Sequence, residues 1–220
     1  IDKYIVLTHQ KMNDIQEVYP IEDEQFELIP HFIELNQSNV ETNMNKEDRF
    51  IYIGRFVKEK QLDHLIKAYR KFLESGHQTK LYLFGKDEDH QLAMMKDLIS
   101  EYQLEDMVKI SNYTKKPLVE FGKSKASLLT SKYEGFGLTI MESIEVGCPV
   151  LSYDVRYGPN EIINHGKNGY LIERNNIDSL AQHMVDIIEN PMQHVKNQDK
   201  LKYSAAVKNY QHLLQTFNLL

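Results

Sequence analysis

The chain has one cysteine, Cys148, in 220 residues. That excludes a disulfide framework, and a lone thiol suits a reducing compartment, so a cytoplasmic location is expected. No run of about 18 uncharged apolar residues occurs, so no transmembrane helix is expected. No basic stretch followed by an apolar one opens the sequence, and nothing there reads as a signal peptide. The nine histidines never fall at metal-ligand spacing with one another or with Cys148, so no metal is expected. Lysine and arginine form no stripe dense enough to bind nucleic acid. Internal repeats and low-complexity segments are absent.

Hydrophobic residues make up 41% of the chain and charged residues 26%. These are ordinary globular values, with enough apolar side chains to fill a core. Charge is unevenly spread. Residues 1–48 hold eleven acids and three lysines, a net of −8 against −6 for the whole chain, which leaves about +2 on residues 49–220. An anionic ligand is better tolerated there than near the start.

Short apolar runs alternate with amphipathic stretches. Strands are predicted at Phe50–Ile53, Leu81–Phe84, Met107–Ile110, Ala126–Leu129, Val150–Tyr153 and Tyr170–Ile172. Helical spacing is carried by Leu62, Leu65, Ile66, Tyr69, Phe72 and Leu73, then by Leu92, Met95, Leu98 and Ile99, and then by Leu138–Val146. Gly147 sits where a left-handed C-terminal residue is wanted. Asp178 is a plausible cap for a helix carrying Leu180, Met184, Ile187 and Ile188. The pattern predicts an α/β fold, a Rossmann-like parallel sheet with helices on both faces. Such sheets bind ligands at the carboxyl ends of their strands. The junctions of interest are therefore Gly54-Arg55, Gly85-Lys86, Ser131–Gly137 and Asp154–Pro159. Residues 1–30 read as strand, helix, strand (Tyr4–Leu7, Met12–Val18, Phe26–Ile29). One such unit cannot make its own core, so residues 1–35 are read as the end of a larger domain. The polar stretch 36–48 reads as a linker and 49–200 as the ligand-binding domain. Residues 201–220 read as a helix with Ala206, Tyr210, Leu213, Phe217 and Leu220 on one stripe.

The most informative stretch runs from Ser131 to Glu142. Seven residues separate Glu134 from Glu142, with Gly135, Phe136 and Gly137 among them at a strand-to-helix turn. Glycines let a backbone approach a ligand and adopt positive φ. The helix beginning near Gly137 and Leu138 offers N–H groups suited to a phosphate. Glu142 can lean back toward the helix start and accept from two adjacent hydroxyls, as on a ribose. The plainer reading is that both acids complement the helix dipole. Arg55, after Gly54, and Lys60 lie within reach of a diphosphate, against the plainer reading of a solvated charge run. Tyr113 is either a base-stacking ring or core, and Cys148 reads as buried filler. Lys86 and Asp87 either line the cleft or begin a helix.

In order and spacing, Gly54–Lys60, Glu134-Gly-Phe-Gly…Glu142, Gly147-Cys-Pro-Val150 and Asn168-Gly-Tyr-Leu-Ile172 resemble the donor-binding half of the family 4 retaining glycosyltransferases, which have the two-domain GT-B fold. The resemblance implies that Arg55 and Lys60 hold the donor diphosphate and that Glu142 holds the nucleotide ribose. Glu134 then stands beside the sugar, with Gly54, Gly135, Phe136, Gly137, Leu138 and Gly158 as donor contacts. It implies a UDP-sugar as donor substrate, no metal, and a polymer or protein acceptor. It also implies an acceptor domain lying outside this chain, and peripheral association of the full-length enzyme with a membrane. The stretch Asp154…Tyr157-Gly-Pro-Asn-Glu161 looks most like that of enzymes placing glucose or N-acetylglucosamine on teichoic acids or Ser-rich adhesins, although Pro159 and Glu161 also suit a plain first helical turn.

Two other functions compete. A non-catalytic glycosyltransferase-like partner subunit would usually lose the acids and cations kept here. A dinucleotide-binding oxidoreductase needs a Gly-x-Gly-x-x-Gly turn after its first strand, which Gly54-Arg55-Phe56 does not supply. Calorimetric titration separates the three: uridine nucleotides bind the first, no nucleotide binds the second, and NAD binds the third.

Overall fold

The computed structural model describes residues 3–32, 44–193, 195–198, 201 and 203–216. Its main body is a six-stranded parallel sheet of β3 (Arg49–Ile53), β4 (Lys80–Phe84), β5 (Val108–Ser111), β6 (Ala126–Leu129), β7 (Val150–Tyr153) and β8 (Gly169–Ile172). Their spatial order is β5-β4-β3-β6-β7-β8. The chain winds outward from β3 to β5, returns to lay β6 beside β3, then winds outward the other way. Ile51 pairs with Tyr82 on one side and with Ser127 on the other. Strands β3, β6 and β7 are buried along their whole length. Helices cover both faces, which is why these strands read as unbroken apolar runs rather than alternating ones.

The helices of this sheet are α2 (Leu62–Glu74), α3 (Gln91–Glu101), α4 (Pro117–Gly122), α5 (Leu138–Glu145), α6 (Pro159–Ile162) and α7 (Ile177–Glu189). Helix α2 buries Leu62, Leu65, Ile66, Ala68, Tyr69 and Phe72 on one stripe, the pattern of an amphipathic helix facing a core. The Tyr69 hydroxyl, at the base of that stripe, donates to the Thr79 carbonyl at 2.8 Å, just before β4. At the amino end of the sheet, buried Arg49 bonds Glu120 at 2.8 Å and the Ser124 hydroxyl at 3.2 Å, and stacks over Tyr82. A buried guanidinium is tolerable only with this many partners.

The first residues form a separate two-stranded parallel sheet, β1 (Tyr4–Val6) and β2 (Phe26–Leu28), with α1 (His9–Gln16) between them. Thr8 caps α1 by accepting from the Lys11 N–H at 3.1 Å. This unit rests on the main body. Leu7 packs against the cluster of Phe136, Ile140 and Ile162. Asp14 accepts from Arg156 at 3.2 Å and from the Tyr157 hydroxyl, and His9 lies 3.3 Å from Glu161.

The predicted strands and helices are found, with ends shifted by a residue or a few. Helix α5 stops at Glu145, and Gly147 has φ +74° as anticipated. Helix α4, six residues long, was not anticipated. The cap of α7 is Asn176, whose side chain accepts from the Ser179 N–H, and not Asp178. Asp178 lies in the first turn and pairs with Lys71 at 2.6 Å. In the expected linker, residues 36–43 lie outside the described residues, while the Glu47 N–H donates to the Lys123 carbonyl at 2.7 Å. In α8 (Tyr203–Thr216) Leu213 is buried but Tyr210 is exposed, so the expected stripe is only partly covered; Phe217 and Leu220 lie outside the described residues. Among the described residues no helix is long and apolar enough to cross a membrane.

Tyr69→Phe should lower stability by about 1–2 kcal/mol in urea titration, because it leaves the buried Thr79 carbonyl without its donor. An unchanged midpoint would show that water takes the hydroxyl's place.

Candidate functional site

Two turns leave the sheet side by side, one after β3 and one after β6. In the first, the Gly54 N–H donates to the Phe84 carbonyl at 3.0 Å, and the buried Tyr52 hydroxyl donates to the Arg55 carbonyl at 2.8 Å. A Cβ on Gly54 would lie 2.6 Å from the Tyr52 oxygen, so a larger residue there would displace the phenol that holds the turn. Burial, and then the nearby Glu134 charge, push the Tyr52 phenol far above its usual range. The phenol therefore stays protonated and keeps its proton for the Arg55 carbonyl. The Arg55 guanidinium is mostly exposed and touches Glu88 at 3.2 Å. Such a surface pair is worth little and yields easily to a ligand anion.

The second turn is strapped to the first. Thr130 shares its hydroxyl between the carbonyls of Lys60 and Gln61 at 2.8 and 2.9 Å. The Lys132 N–H donates to the Glu59 carbonyl at 2.7 Å. Lys60 then meets Glu134 at 2.7 Å, and Ser131 donates to the same carboxylate oxygen at 2.6 Å. Lys60 and Glu134 are both largely buried. Charge-assisted bonds of this kind are the stronger class, so Glu134 is held rigidly by one oxygen.

Gly137, at φ +96°, turns the chain into α5, and among the described residues no side chain caps that helix. Its first-turn N–H groups therefore present a partial positive end. Two glycines flank Phe136 with opposite constraints. A Cβ on Gly158 (φ +98°) would lie 1.7 Å from the Phe136 carbonyl oxygen, whereas one on Gly135 would meet nothing within 4 Å. One turn into α5, the half-buried Glu142 carboxylate has no hydrogen bond or ion pair among the described residues. Burial holds its pKa above the usual carboxylate range.

A cavity of about 470 Å³ opens between the turns, lined by Gly54, Arg55, Lys60, Glu134, Gly135, Phe136, Gly137, Leu138 and Thr139, and from the other side by Leu7 and His31. A second lobe of about 340 Å³ shares Arg55, Lys60, Glu134 and Gly135 and adds Val57, Glu59 and Tyr133. In the first lobe, two cations, one acid and a helix start at a topological switch point can hold a phosphorylated ligand and place a carboxylate beside it. A larger cavity of about 750 Å³ lies between α2 and the start of α7. There Lys71 is paired with Asp178, Arg70 with Glu74 and Lys67 with Asp63, so most of its cations are already engaged and it makes a poorer anion site.

Eight of the ten residues expected at the site line one cavity. The other two, Glu142 and Gly158, do not: Glu142 lies deeper along α5, and Gly158 backs the wall behind Phe136. Tyr113 is exposed rather than core. Asp87 accepts from the Gln91 N–H at 2.8 Å and so begins α3. Cys148 is fully buried. Sequence reasoning gave Ser131, Tyr133 and Thr139 no individual role, although they lie in the stretch it singled out, and it missed Tyr52, Leu7 and His31. The last two follow β1 and β2 at their carboxyl ends, so the rule that ligands gather at strand ends would have found them. Among the described residues no group of three or more His, Cys, Asp or Glu could hold a metal ion.

The family model for glycosyl transferases group 1 matches residues 34–217. The chain is 32% identical to the poly(glycerol-phosphate) alpha-glucosyltransferase of Bacillus subtilis over 89% of its own length and 29% of that protein's. It is 30% identical to the poly(ribitol-phosphate) alpha-N-acetylglucosaminyltransferase of Staphylococcus aureus, over 86% and 37% of the two chains. It therefore spans about a third of these relatives. Among solved structures, a point mutant of S. aureus TarM in complex with fondaparinux, alpha-GlcNAc-glycerol and UDP superposes with a TM-score of 0.77 at 27% identity, covering 98% of this chain and 41% of the other. The fold is the Rossmann-like half of a GT-B protein, as expected.

The glycine pair makes a sharp contrast. Gly158→Ala should destabilise by about 2 kcal/mol or more, from backbone strain and the clash with Phe136. Gly135→Ala should stay within about 0.5 kcal/mol. Urea midpoints decide this, and equal midpoints would refute the wall geometry. For Glu142 the folded pKa is raised, so the native state binds the extra proton and stability falls as pH rises through that range. Glu142→Gln should therefore melt higher than wild type at neutral pH and lose that advantage in acid. A lower melting temperature at neutral pH would mean that the carboxylate has a partner in the fold.

Proposed function

The chain belongs to the group 1 glycosyl transferases, and from that membership we propose that it is the donor-binding part of a retaining hexosyltransferase. The donor is a UDP-sugar, and the group moved is glucose or N-acetylglucosamine. The acceptor is a hydroxyl on teichoic acid or on a glycoprotein. Residues 49–200 hold the donor, residues 1–35 end the acceptor-side domain, and residues 201–220 form the helix crossing back to it. The acceptor itself is held by the domain outside this chain, and the full-length enzyme works in the cytoplasm at the membrane surface.

The single observation that carries this reading is the convergence of Arg55, Lys60, Glu134 and the uncapped start of α5 on one cavity at the β3/β6 switch point. In the reaction the bond from the anomeric carbon to the diphosphate oxygen breaks, and its electron pair leaves with UDP. Arg55, Lys60 and the α5 N–H groups stabilise the charge that develops there. The acceptor oxygen bonds to the anomeric carbon on the same face, and its proton passes to the leaving phosphate oxygen. Glu134, clamped by Lys60 and Ser131, keeps its second oxygen for the sugar. Glu142 accepts from the ribose hydroxyls, which supply the partners its carboxylate lacks in the fold.

Titration with UDP tests these roles separately. Arg55→Ala should weaken UDP by about 1.5–3 kcal/mol, and Glu142→Ala by about 1.5–4 kcal/mol, the scale of one or two lost charged hydrogen bonds. Glu134→Ala should leave UDP affinity nearly unchanged and lower turnover in the full-length enzyme. Equal affinities for wild type and Glu142→Ala would remove the ribose assignment. Loss of turnover with EDTA, restored by Mg²⁺ or Mn²⁺, would transfer the charge-stabilising role from the two cations to a metal.

A further inference from the structure

The donor cavity has a wall that the family-like motifs do not contribute. Leu7 and His31 reach it from the first β-unit, after β1 and β2, and share its lining with Arg55 and Lys60. Their position is anchored at both ends. Ile29, two residues before His31, is buried and its N–H donates to the Val6 carbonyl at 2.9 Å. Leu7 packs into the cluster around Phe136, and α1 is tied through Asp14 to Arg156, whose carbonyl in turn accepts from the Glu134 N–H at 3.1 Å. The His31 ring stands edge-on to Phe136, with centroids 5.2 Å apart. Neither ring nitrogen has a hydrogen-bond partner among the described residues. Phe136 immediately precedes Gly137, the residue that opens α5, so the imidazole lies beside the helix start where the cavity is best suited to an anion.

We propose that His31 is a donor-binding residue that gives a hydrogen bond to the diphosphate, completing from the first β-unit the anion site that Arg55, Lys60 and the α5 N-terminus form from the main sheet. The assignment rests on the nucleotide-sugar reading of the cavity. It follows that the diphosphate is gripped from both structural units, so that ligand binding also fastens the first unit to the sheet. An imidazole suits this place because it donates in either protonation state.

The test is calorimetric titration of this chain with UDP and, separately, with uridine, which carries no phosphate. His31→Ala should weaken UDP by about 10-fold, the factor for one charge-assisted hydrogen bond, and leave uridine unchanged. His31→Gln, which keeps an N–H donor, should recover part of the loss. Equal UDP affinity for wild type and His31→Ala would overturn the proposal and leave the nucleotide-sugar reading standing. Equal losses for UDP and uridine would overturn it too, because they would mark general damage to the site. Failure of the wild type to bind UDP would overturn both readings.

Discussion

Strands β3 and β6 are hydrogen-bonded neighbours in the middle of the sheet, yet the chain leaves them in opposite directions, toward β4 and toward β7. Their outgoing turns diverge, and the crevice between them cannot be filled by either crossover. Every feature of the candidate site follows from that. Gly54 and Arg55 are the first residues beyond β3, Thr130 and Ser131 the first beyond β6, and the strapping of Thr130 to Lys60 and Gln61 sets the width of the opening. Had β6 paired elsewhere, Lys60 and Glu134 would stand on separate edges and the two halves of the charge constellation would not meet.

The two ends of the sheet divide the electrostatic work. At the amino end, Arg49 is buried and fully engaged by Glu120, Ser124 and Tyr82; it has nothing left for a ligand and serves the fold. At the carboxyl end the polar groups are incompletely engaged. Among the described residues Arg55 has one exposed partner, Glu134 uses one oxygen, α5 has no side-chain cap, and Glu142 has no partner. Burying a carboxylate without a partner costs stability, and under the proposed function the ribose hydroxyls offset that cost. The contrast between a saturated amino end and an unsaturated carboxyl end is what the proposed donor site rests on.

The first β-unit extends this logic to a second sheet. Its two strands are also parallel, with their carboxyl ends turned toward the same cavity, so Leu7 and His31 arrive there for the reason Arg55 and Ser131 do. Leu7 and the polar contacts of α1 hold the unit in place. Asp14 touches Arg156 directly, and through the Arg156 carbonyl it steadies the turn that carries Glu134.

Much of the fold was legible in the sequence alone. Buried parallel strands leave unbroken apolar runs such as Phe50–Ile53, and helices leave stripes such as Leu62 to Phe72; both are local consequences of periodicity. The acid and glycine spacing from Glu134 to Glu142 marked the site because a strand-to-helix turn is itself a local structure. Local signals failed where distant partners decided the outcome. Asp178 reads as a cap, but Asn176 has the geometry and Lys71 claims Asp178. Gly158 reads only as a donor contact, and the fold adds that its missing side chain makes room for the Phe136 carbonyl. Tyr52 reads as a core aromatic, and only the folded turn shows its hydroxyl holding Arg55. The sequence by itself determined which segments are strands, which are helices and which turns carry charge. The tertiary structure alone decided that β3 and β6 are neighbours, that Lys60 pairs with Glu134, and that His31 lines the same cavity, because those placements join residues tens of positions apart and no local periodicity encodes them.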